Sequence, residues 1–310
     1  MNARKLLRVA GLAISLLAVA WIVMRFVESG ALTRLADLPI ATGVLFAWVV
    51  AGAGAYAAAM TLPALAWWRI VCGLAPHAPP AWPTMGTYAV SQYGKYLPGN
   101  VAHYALRHVW SRRYDIPHAS LALASIMEAA LLVLGALALI VGAGVQPTAL
   151  SRLVDPRVAV VAVLLGIVTL ALALYWIRRR RLFTRLHVPA LPPSMMLAAF
   201  ACYVAFFVCS ALLVVGLARV LDFPVASAAL LCAATAASWL AGFVVVGAPA
   251  GLGVREATFV ALTGATLGED HALLLIGLFR IVTFLGDTIF LAAGAAVMRN
   301  AQRHNGDRGA

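Results

Sequence analysis

Two short stretches interrupt the apolar character of this sequence, and each combines a turn with nearby charges. Residues 95–100 read Lys-Tyr-Leu-Pro-Gly-Asn and are followed by Arg107. Residues 247–256 read Gly-Ala-Pro-Ala-Gly-Leu-Gly-Val-Arg-Glu. Proline lacks a backbone donor and glycine is conformationally free, so both interrupt a helix. Backbone freed inside a membrane must be buried in protein or line a wet cavity. We therefore predict that the breaks line a hydrated transport site: Pro98, Gly99, Pro249, Gly251 and Gly253.

Three further charges, Glu128, Arg280 and Asp287, lie within long apolar runs. A charge near the bilayer centre costs at least ~2.5 kcal/mol on insertion scales, so each one is a functional hypothesis. Glu128 and Arg280 follow their breaks at similar intervals. We expect them to face one cavity, with Arg107 and Arg255 above and below. The alternative is that internal ion pairs only hold the helices in register.

Polar residues at the breaks and on the spans that follow them form the candidate lipid-headgroup site: Lys95, Asn100, Arg107, Glu128, Arg255, Glu256, Arg280 and Asp287. Arg255 and Glu256 begin a half-helix, whose free N–H groups and positive dipole end suit an anion. The alternative is that these two residues only cap the turn. The sequence has no recognisable catalytic motif and no metal-ligand cluster. We therefore expect no enzyme activity, no metal and no cofactor.

The composition is that of an integral membrane protein. Of the 310 residues 64% are hydrophobic and 11% are charged, against about 25% charged in soluble domains, and the mean hydropathy is +0.95. Apolar runs of about 20 residues predict membrane-spanning helices. The net charge of +12 would suggest nucleic acid in a soluble protein. In a membrane protein it is typical of basic residues that flank spans and meet anionic headgroups, so we expect lipid partners and no nucleic acid.

The predicted fold is all-α and polytopic, with about six full spans, two re-entrant hairpins and a candidate inverted repeat in a single membrane domain over 1–310. Pro- and Trp-rich residues 63–83 are predicted to be an interfacial connector. The predicted segments are spans at 1–27, 40–62, 119–141, 158–177, 194–221 and 271–298; broken helices at 84–112 and 226–267; candidate half-repeats at 40–143 and 194–298; and a polar tail at 299–310.

Basic residues predict the orientation of these spans. With both hairpins re-entrant, 16 of the 23 Lys and Arg residues fall on the side of the N-terminus and 6 on the other side, and Arg280 lies within a span. An excess of Lys and Arg marks cytoplasmic segments. We therefore expect both termini inside. The two hairpins then enter from opposite faces of the membrane.

The residues at the two breaks resemble motifs of the lysylphosphatidylglycerol synthase transmembrane family, also called the flippase-like domain family. Residues 247–257 resemble its Pro-Gly-Gly-hydrophobic-Gly-x-x-Glu signature, although Ala250 replaces one glycine. Residues 95–100 with Arg107 resemble its earlier Pro-Gly…Arg element. Glu128 resembles the acidic residue that follows, but Ala129 stands where the family often has Arg. Arg280 resembles the basic residue of the last span.

The resemblance implies a lipid translocase domain. Bifunctional members carry a soluble aminoacyl-transferase domain after it, and we expect a stand-alone member that lacks this domain. The implied function is movement of an anionic or modified phospholipid, or of a lipid-linked precursor, across the bacterial inner membrane. A membrane-embedded transferase, or an accessory protein of envelope glycolipid synthesis, is the alternative. A homodimer and an envelope-biosynthesis partner are further expectations.

The predicted orientation can be tested by labelling single cysteines introduced at Ser151 and Ser194 in a variant without the four native cysteines. We expect Ser151 to react with a membrane-impermeant thiol reagent from outside, and Ser194 only after the membrane is permeabilised. Labelling of both positions from the same side would contradict six crossings.

Overall fold

In the computed structural model the described residues are Met24 and 42–97, 101–144, 191–223, 227–244 and 249–306. The predicted spans at 1–27 and 158–177 lie outside these ranges, except for Met24, as do Pro98, Gly99 and Asn100. The α-helices are α1 (Thr42–Ala59), α2 (Thr61–Leu74), α3 (Ala81–Gln92), α4 (Ala102–Ser111), α5 (His118–Gly142), α6 (Pro193–Val220), α7 (Ala228–Val244), α8 (Val254–Leu267) and α9 (Glu269–Gly306).

Four stretches among the described residues are long and apolar enough to cross a membrane: Thr42–Leu74, His118–Gly142, Pro193–Val220 and Glu269–Ala301. Large apolar side chains on these helices point outward, including Phe46, Val141 and Leu212. Outward-facing apolar side chains of this size suit contact with lipid tails and not with water. The protein is therefore an all-α membrane protein.

Both predicted broken helices have the expected form. Hairpin 1 consists of α3, the 3₁₀ turn Tyr93–Tyr96 and α4, and hairpin 2 consists of α7, the 3₁₀ turn Pro249–Gly251 and α8. The helices of each hairpin pack on one another, and the two 3₁₀ turns lie against each other. The described parts of the two breaks therefore meet inside the protein, as broken backbone in a membrane requires.

The predicted connector at 63–83 is wrong. After a kink at Met60 the helix restarts at Thr61 and continues to Leu74. Pro63 lies in the first turn of α2, where a missing N–H is tolerated. Trp67 is buried instead of lying at an interface. The residues between α2 and α3 are only 75–80.

The last span, α9, organises the described helices because it packs against α1, α3 and α8. Glycines allow its closest contacts. A methyl group added at Gly294 would lie 2.5 Å from the Ala89 side chain and 3.0 Å from the Gly86 carbonyl oxygen. One added at Gly286 would lie 2.8 Å from the Ala53 carbonyl oxygen. Small residues allow helix backbones in membranes to approach this closely.

The close contact between α3 and α9 predicts a position-specific loss of stability. We expect Gly294→Leu to destabilise the protein by about 1–3 kcal/mol because the larger side chain would push α3 away from α9. Thermal unfolding of purified protein in detergent measures this effect. Gly54→Leu is the control because nothing lies within 4 Å of that position. Equal melting temperatures for the two variants would contradict the packing argument.

Candidate functional site

Hairpin 2 is held to α9 by one arginine. Arg280 Nε lies 2.8 Å from Glu256 Oε1, and Arg280 Nη2 donates a hydrogen bond of 3.1 Å to the carbonyl oxygen of Ala250. The second carboxylate oxygen of Glu256 accepts a 2.7 Å hydrogen bond from the Gly253 backbone N–H. Glu256 therefore caps α8 and neutralises Arg280 at the same time.

The turn of hairpin 2 depends on backbone conformations that suit glycine. Ala250, Gly251 and Gly253 have φ values of 50°, 70° and 80°, in the left-handed region that L side chains adopt at a cost. A methyl group added at Gly251 would lie 2.8 Å from both Arg255 Nε and Gly242 Cα. The turn can therefore pack against α7 only if position 251 has no side chain.

Hairpin 1 is held to the same helix by a carboxylate. Lys95 Nζ lies 2.7 Å from Asp287 Oδ2, and the Tyr96 hydroxyl donates a 2.6 Å hydrogen bond to the same oxygen. The other oxygen, Asp287 Oδ1, is buried and has no hydrogen-bond partner. Because Arg280 and Asp287 lie seven residues apart on one helix, α9 binds the turns of both hairpins along one face.

Hairpin 1 has a second ion pair, which joins it to α5. Arg107 pairs with Glu128, and both side chains are only 1% exposed. Glu128 Oε1 accepts a 3.0 Å hydrogen bond from the Tyr88 hydroxyl, and Arg107 Nε donates one of 3.1 Å to Ser91. This network joins α3, α4 and α5 and gives each oxygen of Glu128 a donor, while Arg107 Nη2 is buried without a hydrogen-bond partner.

Aromatic rings surround the Arg107 guanidinium. Its central carbon lies 3.8 Å from the ring centroid of Tyr88 and 5.1 Å from that of Trp67. Cation–π attraction is stronger where the cation is desolvated. The hydrogen-bonded and ring-enclosed Arg107 therefore has the character of a structural anchor within hairpin 1.

A small cavity lies between α6, α7 and α9. Two arginines, Arg255 and Arg280, contribute to its wall together with hydroxyl-bearing and aromatic side chains: Tyr56, Ser210, Thr235, Ser238, Trp239 and Thr283. About 30 Å³ of it can be reached by the centre of a water molecule. Since one water needs roughly 10–15 Å³ on this measure, the cavity has room for water but not for a lipid headgroup.

A family model described as the lysylphosphatidylglycerol synthase TM region matches residues 8–290. The chain belongs to this family. No curated protein matches the sequence. Membership connects the chain with membrane lipid or envelope metabolism. It also gives a physical meaning to the departure at Ala250, since the glycine of the family motif stands where this chain has a left-handed backbone.

The residues selected from the family resemblance and from their charge do not form a single site. Glu128 and Arg280 were expected to face one cavity, but Glu128 pairs with Arg107 and Arg280 pairs with Glu256. Glu128 is also not among the residues that line the cavity. Each of these two ion pairs joins the second helix of a hairpin to the span that follows it along the chain. Short connections make those helices neighbours.

The other candidates lie in three places. Lys95 and Asp287 connect hairpin 1 to α9. Arg255 lines the cavity, while Glu256 belongs to the turn of hairpin 2. Asn100 lies outside the described residues.

Sequence reasoning missed the neutral groups that complete this family member's polar centre. Tyr88 binds Glu128, and Gln92 Nε2 donates a 2.9 Å hydrogen bond to the Tyr88 hydroxyl. Their spacing of four residues places them on one face of α3, which could have indicated a buried polar stripe. Thr235 and Ser238 show the same kind of signal, because they lie one turn apart in the otherwise apolar α7.

These contacts predict which pairs of charges are energetically coupled. Glu128→Gln and Arg107→Gln should each cost roughly 3–5 kcal/mol, because each leaves a buried charge without its partner. The double variant should lose much less stability than the sum of the two single losses. Chemical unfolding in detergent measures the coupling. Glu128→Gln with Arg280→Gln is the control cycle, and strong coupling there would contradict the observed pairing.

Proposed function

We propose that this chain moves a lipid with an anionic headgroup across the bacterial inner membrane, without changing the lipid covalently. The observation that carries the proposal is that one long span, α9, binds the turns of both hairpins at a polar centre. Arg280 holds hairpin 2 and Asp287 holds hairpin 1. If a bound headgroup competes for these ion pairs, it can release one hairpin at a time and so open the polar centre to one face of the membrane at a time.

The two hairpins differ in how firmly they are attached. The cations of hairpin 1, Lys95 and Arg107, both pair with carboxylates on long spans. The pairs that hold the two turns to α9 are similarly open, since Lys95 is 20% exposed and Glu256 is 21% exposed. Hairpin 1 has in addition the Arg107–Glu128 pair, whose side chains are only 1% exposed. Exposed ion pairs contribute less stability than buried ones and exchange partners more readily. We therefore propose that hairpin 2 moves while hairpin 1 stays with the spans.

In this mechanism, the small size of the present cavity corresponds to a closed state of the protein. The cavity lies beside Arg280 and beneath the turn of hairpin 2. An anionic headgroup would compete with Glu256 for Arg280 and loosen the attachment of the turn. The headgroup would then occupy the widened cavity, while the acyl chains stay in lipid along the apolar outer surface.

We also propose that residues 40–143 and 194–298 are related half-repeats of opposite orientation. In both halves a long helix is followed by a hairpin and then by a span that is ion-paired to the hairpin's second helix. Gly135 of α5 contacts Phe207 of α6, and Gly286 of α9 contacts Tyr56 of α1. The contacts correspond, because Gly286 follows Gly135 and Phe207 follows Tyr56 by the same number of residues. With both termini inside, such repeats would present their hairpins to opposite faces.

The turn of hairpin 2 provides the test of transport. In proteoliposomes that contain fluorescent lipids, we expect the wild-type chain to move labelled lipid between leaflets, as measured by quenching from outside. Gly251→Leu should reduce the rate to that of protein-free vesicles, because a side chain there meets Arg255 and Gly242. Gly54→Leu, which faces open space, is the matched control.

Two outcomes would contradict this proposal. Full transport by Gly251→Leu would show that the turn is incidental. A change in the mass of the labelled lipid that depends on an added donor would support a transferase instead.

A further inference from the structure

The charged side chains inside the described part of the protein do not balance. Seven of them are not exposed, of which four are cationic and three are anionic: Lys95, Arg107, Arg255, Arg280, Glu128, Glu256 and Asp287. Three ion pairs account for six of these residues. Arg255 is the remaining one: no carboxylate among the described residues forms an ion pair with it, and its Nε is buried without a hydrogen-bond partner. Among the described residues, the cations of this centre therefore outnumber its anions by one.

Arg255 is oriented by the fold and not by a counter-ion. Its Nε is buried and unpartnered, and its stem passes closely between Gly242 and Gly251. The guanidinium carbon lies 5.7 Å from the ring centroid of Trp239, a contact that holds the group in place but leaves its N–H donors unused. The side chain faces the cavity that Arg280 also lines. Burial of an unpaired charge is costly, so the site lacks an acceptor.

The hydroxyl groups in the cavity can adapt to an anion. Ser210, Thr235 and Ser238 each donate to a carbonyl oxygen of their own helix, and a hydroxyl can rotate to donate elsewhere. Arg255 is also the second residue of α8, so the positive end of that helix adds to the field at the same place. The donors converge on one small volume.

We propose that this cavity, once widened by movement of hairpin 2, binds a phosphodiester with a single net negative charge and that Arg255 is its docking point. This inference rests on the proposed transport function and names the class of headgroup. One negative charge completes the balance at the centre. A pyrophosphate would bring surplus negative charge, and a zwitterionic headgroup would bring an ammonium group although all three carboxylates are already paired. The site therefore prefers a phospholipid whose only charge is its phosphate.

The position of Arg255 links docking to opening. It is the neighbour of Glu256 in sequence, and Glu256 neutralises Arg280. A phosphate bound to Arg255 lies close to this ion pair and can exchange with the Glu256 carboxylate at Arg280. Arg255 thus gives the headgroup its first contact, and Arg280 becomes available when hairpin 2 moves.

Binding can be measured separately from transport. Purified full-length protein in neutral detergent is titrated with phosphatidylglycerol, with phosphatidylethanolamine and with a polyprenyl pyrophosphate, and its melting temperature is recorded. We expect phosphatidylglycerol to raise the melting temperature most. Arg255→Gln should weaken its apparent affinity at least about tenfold, in keeping with the loss of a charged hydrogen bond. Soluble glycerophosphoglycerol, added alone, shows whether the phosphodiester binds without acyl chains.

Further variants separate loss of charge from loss of folding. Arg255→Lys keeps the charge and should retain a measurable part of the lipid response. Gly242→Ala keeps Arg255 but places a methyl group 2.5 Å from its Cγ, so it should weaken binding by displacing the side chain. Arg219→Gln, at an exposed position on α6, should leave binding unchanged.

The outcomes distinguish this inference from the proposed function. If phosphatidylglycerol binds through Arg255 but no lipid crosses the bilayer in proteoliposomes, the transport proposal fails and the site stands. If lipids cross at equal rates whatever their headgroup charge, and Arg255→Gln binds and transports like wild type, the site is wrong and transport stands. A stronger response to the polyprenyl pyrophosphate than to phosphatidylglycerol also overturns the inference.

Discussion

The polar centre of this protein depends on the cost of placing a charge in hydrocarbon. An unpaired ion there is expensive, so each buried ion restricts where its partner's helix can lie. Asp287 and Arg280 apply this constraint twice on α9, once to each hairpin. The turns of the hairpins meet where they do because one helix carries a carboxylate for the first and a guanidinium for the second.

The two halves use the same connection with opposite sign. In the first half the hairpin supplies the cation, Arg107, and the following span supplies the anion, Glu128. In the second half the hairpin supplies Glu256 and the span supplies Arg280. The geometry of a hairpin joined to its span is thus retained although the charges are exchanged. The first pair is fully enclosed by aromatic and hydroxyl groups, while the second lies beside a cavity.

The sequence predicted the elements of this site better than it predicted their partners. Glycine, proline and charge at 95–100 and 247–256 located both hairpins, because broken backbone in a membrane must be buried in protein or line a wet cavity. The cavity expected to be shared by Glu128 and Arg280 is not observed, because the rotation of α5 depends on packing against α4, which periodicity does not reveal. The burial of Trp67 was missed for a related reason. Whether a tryptophan lies at an interface or in the core depends on where the helix ends. Pro63 led to the wrong prediction that the span ends before residue 63.

The neutral residues of the site could not be selected from sequence, since an isolated Tyr or Ser in an apolar helix usually bonds to its own backbone. Tyr88 became significant only when α3 and α5 were seen to place it beside Glu128. Arg255 was selected for its charge, but the proposal for it depends on the absence of a counter-ion among the described residues. That absence is visible only when the partners of all the other buried charges are known.

The adjacent charges of Arg255 and Glu256 have an electrical consequence. They are the only Asp, Glu, Lys or Arg residues from 228 to 267, so hairpin 2 has no net charge. A membrane potential performs work of about 2.3 kcal/mol per elementary charge per 100 mV. An empty hairpin can therefore be displaced through the field without electrical work, whereas one that holds a monoanion carries a full negative charge. In the proposed transport, the voltage across the membrane would then act on the bound headgroup and drive it toward the positive side.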